Sequence, residues 1–150
     1  MKLIISFLII LVISVSAQTQ NPNYNNVLAD SLNADDYGMK SYIFVILKTG
    51  TGKIDDKKER SEIFRGHLDN ISRLVKEGKI VVAGPFMTNN KSYRGLFIFD
   101  VKTIDEVKEL LQTNPSIKSG IFETEIFEWY GSAALPEYLK TADKIWKVNP

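Results

Sequence analysis

The chain has no cysteine among its 150 residues. This absence excludes a disulfide framework, a catalytic thiol and a lipid anchor attached to cysteine. Hydrophobic residues make up 44% of the chain and charged residues 25%, which is typical of a globular protein. The fold must therefore be stabilised by the hydrophobic core of a single domain.

Histidine is almost as scarce, because His67 is the only one. The chain has no HxH or HExxH motif and no His/Cys cluster, so we expect no metal site. It also lacks the nucleophile elbow of a Ser-His-Asp hydrolase. Haem ligation by His67 is a weaker alternative, since one isolated histidine is a poor indicator of an axial ligand. The sequence therefore predicts no cofactor.

An excess of charge of one sign is missing as well. The chain has 19 basic and 18 acidic residues. Residues 1–17 carry only Lys2, and the rest of the chain has 18 of each sign. Nucleic-acid binders and proteins held electrostatically at a membrane surface depend on a basic excess, so the charge balance argues against both classes.

A phosphate-binding loop is also lacking. Thr49-Gly50-Thr51-Gly52 has a suitable composition, but it has neither the Lys-Ser/Thr of a P-loop nor the spacing of a dinucleotide motif. We predict a plain flexible loop at this position.

The chain has one long apolar run, at its N-terminus. Lys2 precedes Leu3–Ile13, and small residues follow up to Ala17. This pattern predicts a secretory signal peptide over residues 1–17, cleaved after Ala17. The alternative is a membrane anchor, but a bilayer needs roughly 20 apolar residues and this run is shorter. We expect export to the periplasm or the extracellular space, with no stable membrane anchor after cleavage.

The remaining chain is predicted to have three parts. Residues 18–38 are rich in Asn, Gln, Asp and Ser and are expected to form a flexible linker. Residues 39–131 form the domain. Residues 132–150 are a C-terminal extension, partly helical, with Leu139, Ile145 and Trp146 available for packing.

Apolar runs and turn residues predict six elements in the domain. In order, they are a strand at Tyr42–Leu47, a helix at Asp56–Glu77, strands at Ile80–Ala83 and Arg94–Val101, a helix from Thr103 to Asn114, and a strand at Ile121–Tyr130. The order β-α-β-β-α-β predicts an α+β ferredoxin-like sandwich, with two helices on one face of an antiparallel sheet. The strands are apolar on the open face too, so we expect a homodimer through the sheet faces.

The first predicted helix carries the histidine. Its inward face is expected to comprise Ile63, Phe64, His67, Leu68, Ile71, Leu74 and Val75. Gly78 follows at the position where a helix favours a left-handed residue. The histidine is therefore expected to point into the protein.

Several short motifs, taken in order, resemble the YCII-related (YciI-like) domain family of the dimeric α+β-barrel group. They are Phe64-Arg65-Gly66-His67-Leu68, Glu77-Gly78-Lys79, Ala83-Gly84-Pro85-Phe86, Arg94-Gly95, Asn114-Pro115 and Trp129-Tyr130-Gly131. The resemblance covers roughly Tyr42–Tyr130. The tail from Trp129 to Pro136 resembles an exported subgroup of the family.

The resemblance implies a pocket in which the helix histidine lies beside the Asp of an Asp-Pro pair. These positions correspond to His67 and to Asn114 of Asn114-Pro115. Asn can orient the imidazole but supplies no negative charge, so we expect His67 to be less basic than it would be beside a carboxylate. Some members of the family resemble lyases that remove halide from aromatic rings.

We predict catalytic roles for His67 and Asn114 and a substrate-binding group of Gly84, Pro85, Phe86, Arg94 and Trp129. Each has a plainer alternative. His67 can be a core or interface histidine bonded to the backbone. Asn114 and Gly84-Pro85 can end a helix and a strand. Arg94 can be a surface residue at a strand edge, and Trp129 can serve core or dimer packing.

Three functions remain open from the sequence. The first is a cofactor-independent lyase or isomerase in which His67 accepts a proton from a small cyclic or aromatic molecule. The second is a module that binds a small ligand in the same pocket without turnover. The third is a structural homodimer with no ligand.

Overall fold

A computed structural model describes residues 21–148. The predicted signal peptide, residues 1–17, lies outside this part. The elements in order are α1 (Asn26–Ser31), β1 (Met39–Thr49), α2 (Lys57–Lys76), β2 (Ile80–Pro85), β3 (Tyr93–Phe99), α3 (Ile104–Leu111), α4 (Pro115–Lys118), β4 (Phe122–Ser132), a 3-10 helix (Leu135–Tyr138) and α5 (Leu139–Ala142).

The four strands form one antiparallel sheet in the order β2-β3-β1-β4. Val45 at the middle of β1 lies opposite Phe97 of β3 and Ile126 of β4. Helices α2 and α3 pack on one face of this sheet, so the predicted α+β ferredoxin-like fold is confirmed. The hydrophobic core lies between the sheet and the helices; its buried members are Ile43, Val45, Leu47, Leu74, Ile80, Phe97, Phe99, Val107 and Leu111.

Capping residues fix the helix ends. The Asp56 side chain accepts from the Glu59 N–H at 2.7 Å and starts α2. Gly78, with φ of 70°, directly follows Glu77, the C-cap residue of that helix. Thr103 caps α3 by accepting from the Glu106 N–H.

The predicted inward face of α2 is partly wrong. Phe64 and Leu68 are 38% and 47% exposed, whereas Asn70, which is not part of the predicted inward face, is buried. The Asn70 amide donates to the side chain of Thr113 at 2.8 Å. The buried stripe is rotated because α2 packs against α4 and the turn before it as well as against the sheet.

The second face of the sheet is covered only in part. Tyr42, Val81 and Ile98 form a second buried cluster there, and Leu135 of the 3-10 helix packs against it. Phe127 on the same face remains 48% exposed. Most of this apolar surface is therefore available for a further contact.

The predicted flexible linker is wrong for residues 25–38. The Asn25 side chain accepts from the Leu28 N–H and starts α1. Asp35 accepts from the backbone N–H groups of Tyr37 and Met39 and from the hydroxyl of Tyr130. These bonds, that of Tyr130 above all, hold the pKa of Asp35 below its usual range. The polar residues that suggested a flexible linker act here as helix caps and turn formers.

The C-terminal extension is partly helical, but its packing differs from the prediction. Leu139 is half-buried, whereas Ile145 and Trp146 are 80% and 51% exposed. The chain turns back onto the sheet directly after β4, so Leu135 is the residue of the extension that packs against the second buried cluster. The later residues lie beyond that contact.

The loop after β1 is held by backbone hydrogen bonds, whereas the sequence predicted a plain flexible loop. The N–H groups of Gly50 and Gly52 donate to the carbonyls of Ile121 and Gly120, both at 2.8 Å. These amides already have backbone partners, which leaves them unsuited to cradling a phosphate. None of the helices within residues 21–148 is long and apolar enough to cross a membrane.

Candidate functional site

Helices α2 and α4 bring His67 and Asn114 together. The Nδ1 atom of His67 lies 3.0 Å from Oδ1 of Asn114, and both residues are buried. The close approach depends on Gly66, because a Cβ there would lie 3.0 Å from Cγ of Pro115. The pairing of His67 with Asn114 implied by the family resemblance is therefore present in the fold.

The backbone fixes the tautomer of the imidazole. The Ser116 N–H donates to Oδ1 of Asn114 at 3.1 Å, so the oxygen and not the nitrogen of the amide must lie on the side that faces Ser116 and His67. An oxygen that faces Nδ1 of His67 requires Nδ1 to carry the proton. Nε2 then keeps a free lone pair, and within residues 21–148 no group forms a hydrogen bond with it.

Aromatic rings surround the histidine. The Phe122 ring meets the imidazole edge-on with centroids 5.5 Å apart, and Phe97 lies at 6.2 Å. Burial lowers the pKa of His67, and the hydrogen bond with Asn114 opposes this only in part. The imidazole is consequently neutral at neutral pH and can accept a proton or a hydrogen bond at Nε2.

We expect this burial to make folding depend on pH. The pKa of folded His67 lies below its usual value of 6.5, so the unfolded chain binds the proton more readily. The contribution of His67 to stability is complete above 6.5 and is lost as the pH falls through the folded value. The free energy of unfolding of wild type should therefore fall relative to that of His67→Gln as the pH drops below 6.5. Chemical denaturation at several pH values measures this, and parallel pH profiles would contradict it.

Phe64 lines a depression in the surface of α2. A surface depression of about 340 Å³ is lined by Ser61, Phe64, Arg65 and Leu68, and His67 does not line it. The Phe64 ring, one turn before His67, packs edge-on against Phe122 at 5.9 Å.

Ser116 is a polar group that the sequence did not single out. Its hydroxyl is fully buried and has no hydrogen-bond partner among the described residues. It follows Asn114 by two positions, beside the amide oxygen that orients His67. A Ser two residues after the Asn was the one sequence feature that could have identified it.

The predicted substrate-binding residues Gly84 and Pro85 lie at the end of β2, and Phe86 follows them. Pro85 is paired with Gly95, two residues beyond the Ala83–Phe97 pair, so it shares the sheet face on which His67 meets Phe97. Gly84 belongs to the other face by alternation. Phe86 packs against Tyr93 with centroids 6.1 Å apart.

Arg94 and Trp129 are not brought to His67. The Arg94 Nε donates to Oγ1 of Thr49 at 2.6 Å in an exposed position, which agrees with a surface role. Trp129 packs against Tyr42 at 5.8 Å on the second face of the sheet. Phe122, which touches His67, is seven residues earlier on the same strand, and an odd separation places two residues on opposite faces. Trp129 therefore does not line a site with His67 within one protomer.

Among residues 21–148, no three His, Asp or Glu side chains converge in a way that could hold a metal ion. The chemistry of the site is that of one neutral imidazole, one orienting amide and one buried hydroxyl in an aromatic setting.

A family model for the YCII-related domain matches residues 42–130. The chain belongs to the YCII-related domain family. The match excludes α1 and the C-terminal helices, which are additions to the family domain.

The YCII relatives include an uncharacterised protein, YjpA, of Bacillus subtilis (strain 168), 25% identical over 91 residues that cover 61% of this chain and 95% of YjpA. A solved structure is also similar: 5-chloro-2-hydroxyhydroquinone dehydrochlorinase (TftG) from Burkholderia phenoliruptrix AC1100, in complex with 2,5-dihydroxybenzoquinone. It has 26% identity and a TM-score of 0.42, with 58% of this chain and 92% of that chain covered.

Proposed function

We propose that this YCII-related protein acts on a small cyclic or aromatic molecule without a cofactor, with His67 as the group that accepts the proton. The observation that carries the proposal is the free lone pair on Nε2, held in one tautomer by Asn114 and its backbone partner. A base must be unprotonated at working pH, and burial keeps His67 in that form. The reaction class is lyase or isomerase chemistry that starts with removal of a proton.

The test compares wild type, His67→Gln and Lys58→Gln with chlorinated hydroquinones and small lactones as substrates. Lys58 is a matched surface control on the same helix, with its side chain 87% exposed. Turnover that is retained in Lys58→Gln and falls by about 100-fold or more in His67→Gln supports the proposal. Equal rates in all three proteins would exclude His67 as the base for these compounds.

Binding without turnover is the second candidate. Within the described part of the chain the side-chain partner of His67 is an amide and not a carboxylate, which favours binding, because an imidazolium formed there by proton transfer has no negative partner. The imidazole would then accept a hydrogen bond from a ligand hydroxyl. Because His67 is the only histidine, its ring signals in NMR report binding directly. Saturable shifts of these signals with no product identify a binder.

We also propose a homodimer through the second face of the sheet. Phe44 lies opposite Phe127 there, and Phe127 is 48% exposed. In analytical ultracentrifugation, Phe127→Glu should dissociate the dimer, whereas Leu68→Glu should not. Leu68 is a matched control because it is 47% exposed and lies on α2, away from this face. A wild-type monomer at high concentration would refute the proposal.

Export is the remaining proposal. Expression of the full chain in a bacterial host, followed by fractionation and N-terminal sequencing, should yield a protein that begins at Gln18 in the periplasm or the medium. An intact N-terminus in the cytoplasm would contradict it.

A further inference from the structure

Asn70 is a buried polar residue of α2 that the proposed chemistry does not use. It is only 8% exposed, and it follows His67 by three positions, on the same side of the helix. A buried amide needs hydrogen-bond partners, because the loss of its contacts with water is otherwise uncompensated. Asn70 has its partners on Thr113, in the turn that joins α3 to α4.

Both ends of this contact have a single assignment. The Asn70 Nδ2 atom lies 3.2 Å from the Thr113 carbonyl oxygen and 2.8 Å from Oγ1 of Thr113. A carbonyl only accepts, so the atom that faces it must be the nitrogen of the amide. The Thr113 hydroxyl donates its own proton to the Leu110 carbonyl at 2.6 Å and therefore accepts from Asn70. The amide thus donates to two oxygens of one residue.

Two successive residues of this turn are held by two residues of α2 that lie one helical turn apart. Asn70 bonds Thr113, and His67 bonds the next residue, Asn114, at 3.0 Å. The Asn114 N–H also donates to the Leu111 carbonyl at 3.0 Å, at the end of α3. One hydrogen bond fixes a distance, whereas a second bond to the adjacent residue also fixes the orientation of the segment. The Asn114 amide is therefore presented to His67 in one direction.

The orientation of the Asn114 amide decides which nitrogen of His67 is a base. Nδ1 carries the proton because Oδ1 of Asn114 accepts from it. If the turn moves away, the cause of this preference is lost and the proton can occupy Nε2 instead. An imidazole that carries its proton on Nε2 no longer accepts a proton at that atom.

We propose that Asn70 is a positioning residue of the His67 site: by holding Thr113, it keeps the Asn114 amide in place and the proton of the imidazole on Nδ1. This role rests on the proposed function where turnover is concerned, but the tautomer is a property of the pair itself. Arg73 also reaches Oγ1 of Thr113, at 2.9 Å, but from an exposed position in which it is paired with Glu77. Water can replace that contact, whereas the buried amide has no such substitute.

Nitrogen NMR of the single histidine tests this role. At a pH where the imidazole is neutral, the shifts of Nδ1 and Nε2 distinguish the two tautomers. Asn70→Leu keeps the shape of the side chain and removes its donor, and Asp69→Leu introduces the same residue at the neighbouring exposed position. Wild type and Asp69→Leu should show the Nδ1–H tautomer alone, whereas Asn70→Leu should show the Nε2–H tautomer as well. Turnover of the chlorinated hydroquinones and lactones should fall by about tenfold or more in Asn70→Leu and not in Asp69→Leu.

Substitutions of Thr113 repeat the test from the other side of the contact. Thr113→Val removes the hydroxyl that accepts from Asn70, and Thr113→Ser keeps it. Thr113→Val should show the Nε2–H tautomer, in a smaller proportion than Asn70→Leu because the Thr113 carbonyl remains, and Thr113→Ser should not show it. Thr113 is exposed, so both variants should fold even if Asn70→Leu does not, which melting curves check.

The results distinguish this role from the proposed function. A tautomer that stays at Nδ1–H in Asn70→Leu, or in Thr113→Val where Asn70→Leu does not fold, would overturn the positioning role even if His67→Gln identifies His67 as the base. A changed tautomer together with no turnover by wild type supports the positioning role and counts against the enzyme.

Discussion

Asn114→Asp should raise the pKa of His67 and increase its proton affinity by about tenfold or more. The new carboxylate would take the place of Oδ1, which lies 3.0 Å from Nδ1. Its charge would be held by the Ser116 N–H, which already donates to this atom at 3.1 Å. An opposite charge at this distance in a buried setting stabilises the imidazolium, whereas the neutral amide does not.

The single histidine makes the measurement simple. Titration of the His67 ring carbons by NMR follows one group only, in wild type and in variant. Asn25→Asp is a matched control, because it makes the same chemical change at the cap of α1, where aspartate is an equally good cap. The pKa of His67 should rise in Asn114→Asp and not in Asn25→Asp. Equal titration curves in all three proteins would show that the pair is not formed in solution.

The same variant bears on catalysis. If His67 abstracts a proton, a carboxylate partner stabilises the cation that forms, so the rate above the new pKa should increase. If the protein only binds its ligand, Asn114→Asp should change affinity without producing turnover. The pair of outcomes therefore separates the enzyme from the binding module.

Gly52→Ala should lower the free energy of unfolding by about 2–4 kcal/mol. A Cβ at this position would lie 2.6 Å from the carbonyl carbon of Gly120 and 2.8 Å from its oxygen. Backbone cannot rotate away as a long side chain can, so the two segments must separate. The hydrogen bond from the Gly52 N–H to the Gly120 carbonyl, 2.8 Å long, would be lost with them.

Gly84→Ala is the matched control, because a Cβ there meets nothing within 4 Å. Melting temperatures of the two variants and wild type give the comparison, with about 3 °C expected for each kcal/mol. Gly84→Ala should melt close to wild type. Gly52→Ala should also perturb the His67 ring signals, since Gly120 lies two residues after the helix that Asn114 caps. If Gly52→Ala melts like wild type, the loop is not held against Gly120 as described.

The fold was predictable because its local patterns agree. Asp56 and Thr103 stand where helix caps are needed, and Gly78 has the left-handed conformation that a helix end favours. The hydrophobic pattern of α2 was less informative. Apolar spacing shows that a helix is amphipathic but not which neighbours share its buried face, so the predicted inward face includes Leu68 and omits Asn70.

The site was predictable only in part. Forty-seven positions separate His67 from Asn114, and no spacing rule joins them, so their pairing came from the family resemblance. Trp129 is a different case. Its odd separation from Phe122 along one strand already places the two on opposite faces, but no contact of Phe122 with His67 was visible in the sequence. The unpartnered hydroxyl of Ser116 is likewise a property of packing.

Asn114 is followed by a proline that starts α4. Asparagine deamidates spontaneously when the backbone nitrogen of the next residue attacks the side-chain amide and closes a five-membered imide. Proline has no N–H to lose, so this reaction is blocked at Asn114. The neutral pair is therefore protected from the usual route by which an asparagine becomes charged as a protein ages. A single base substitution in the codon is enough to make the same change from amide to carboxylate by mutation.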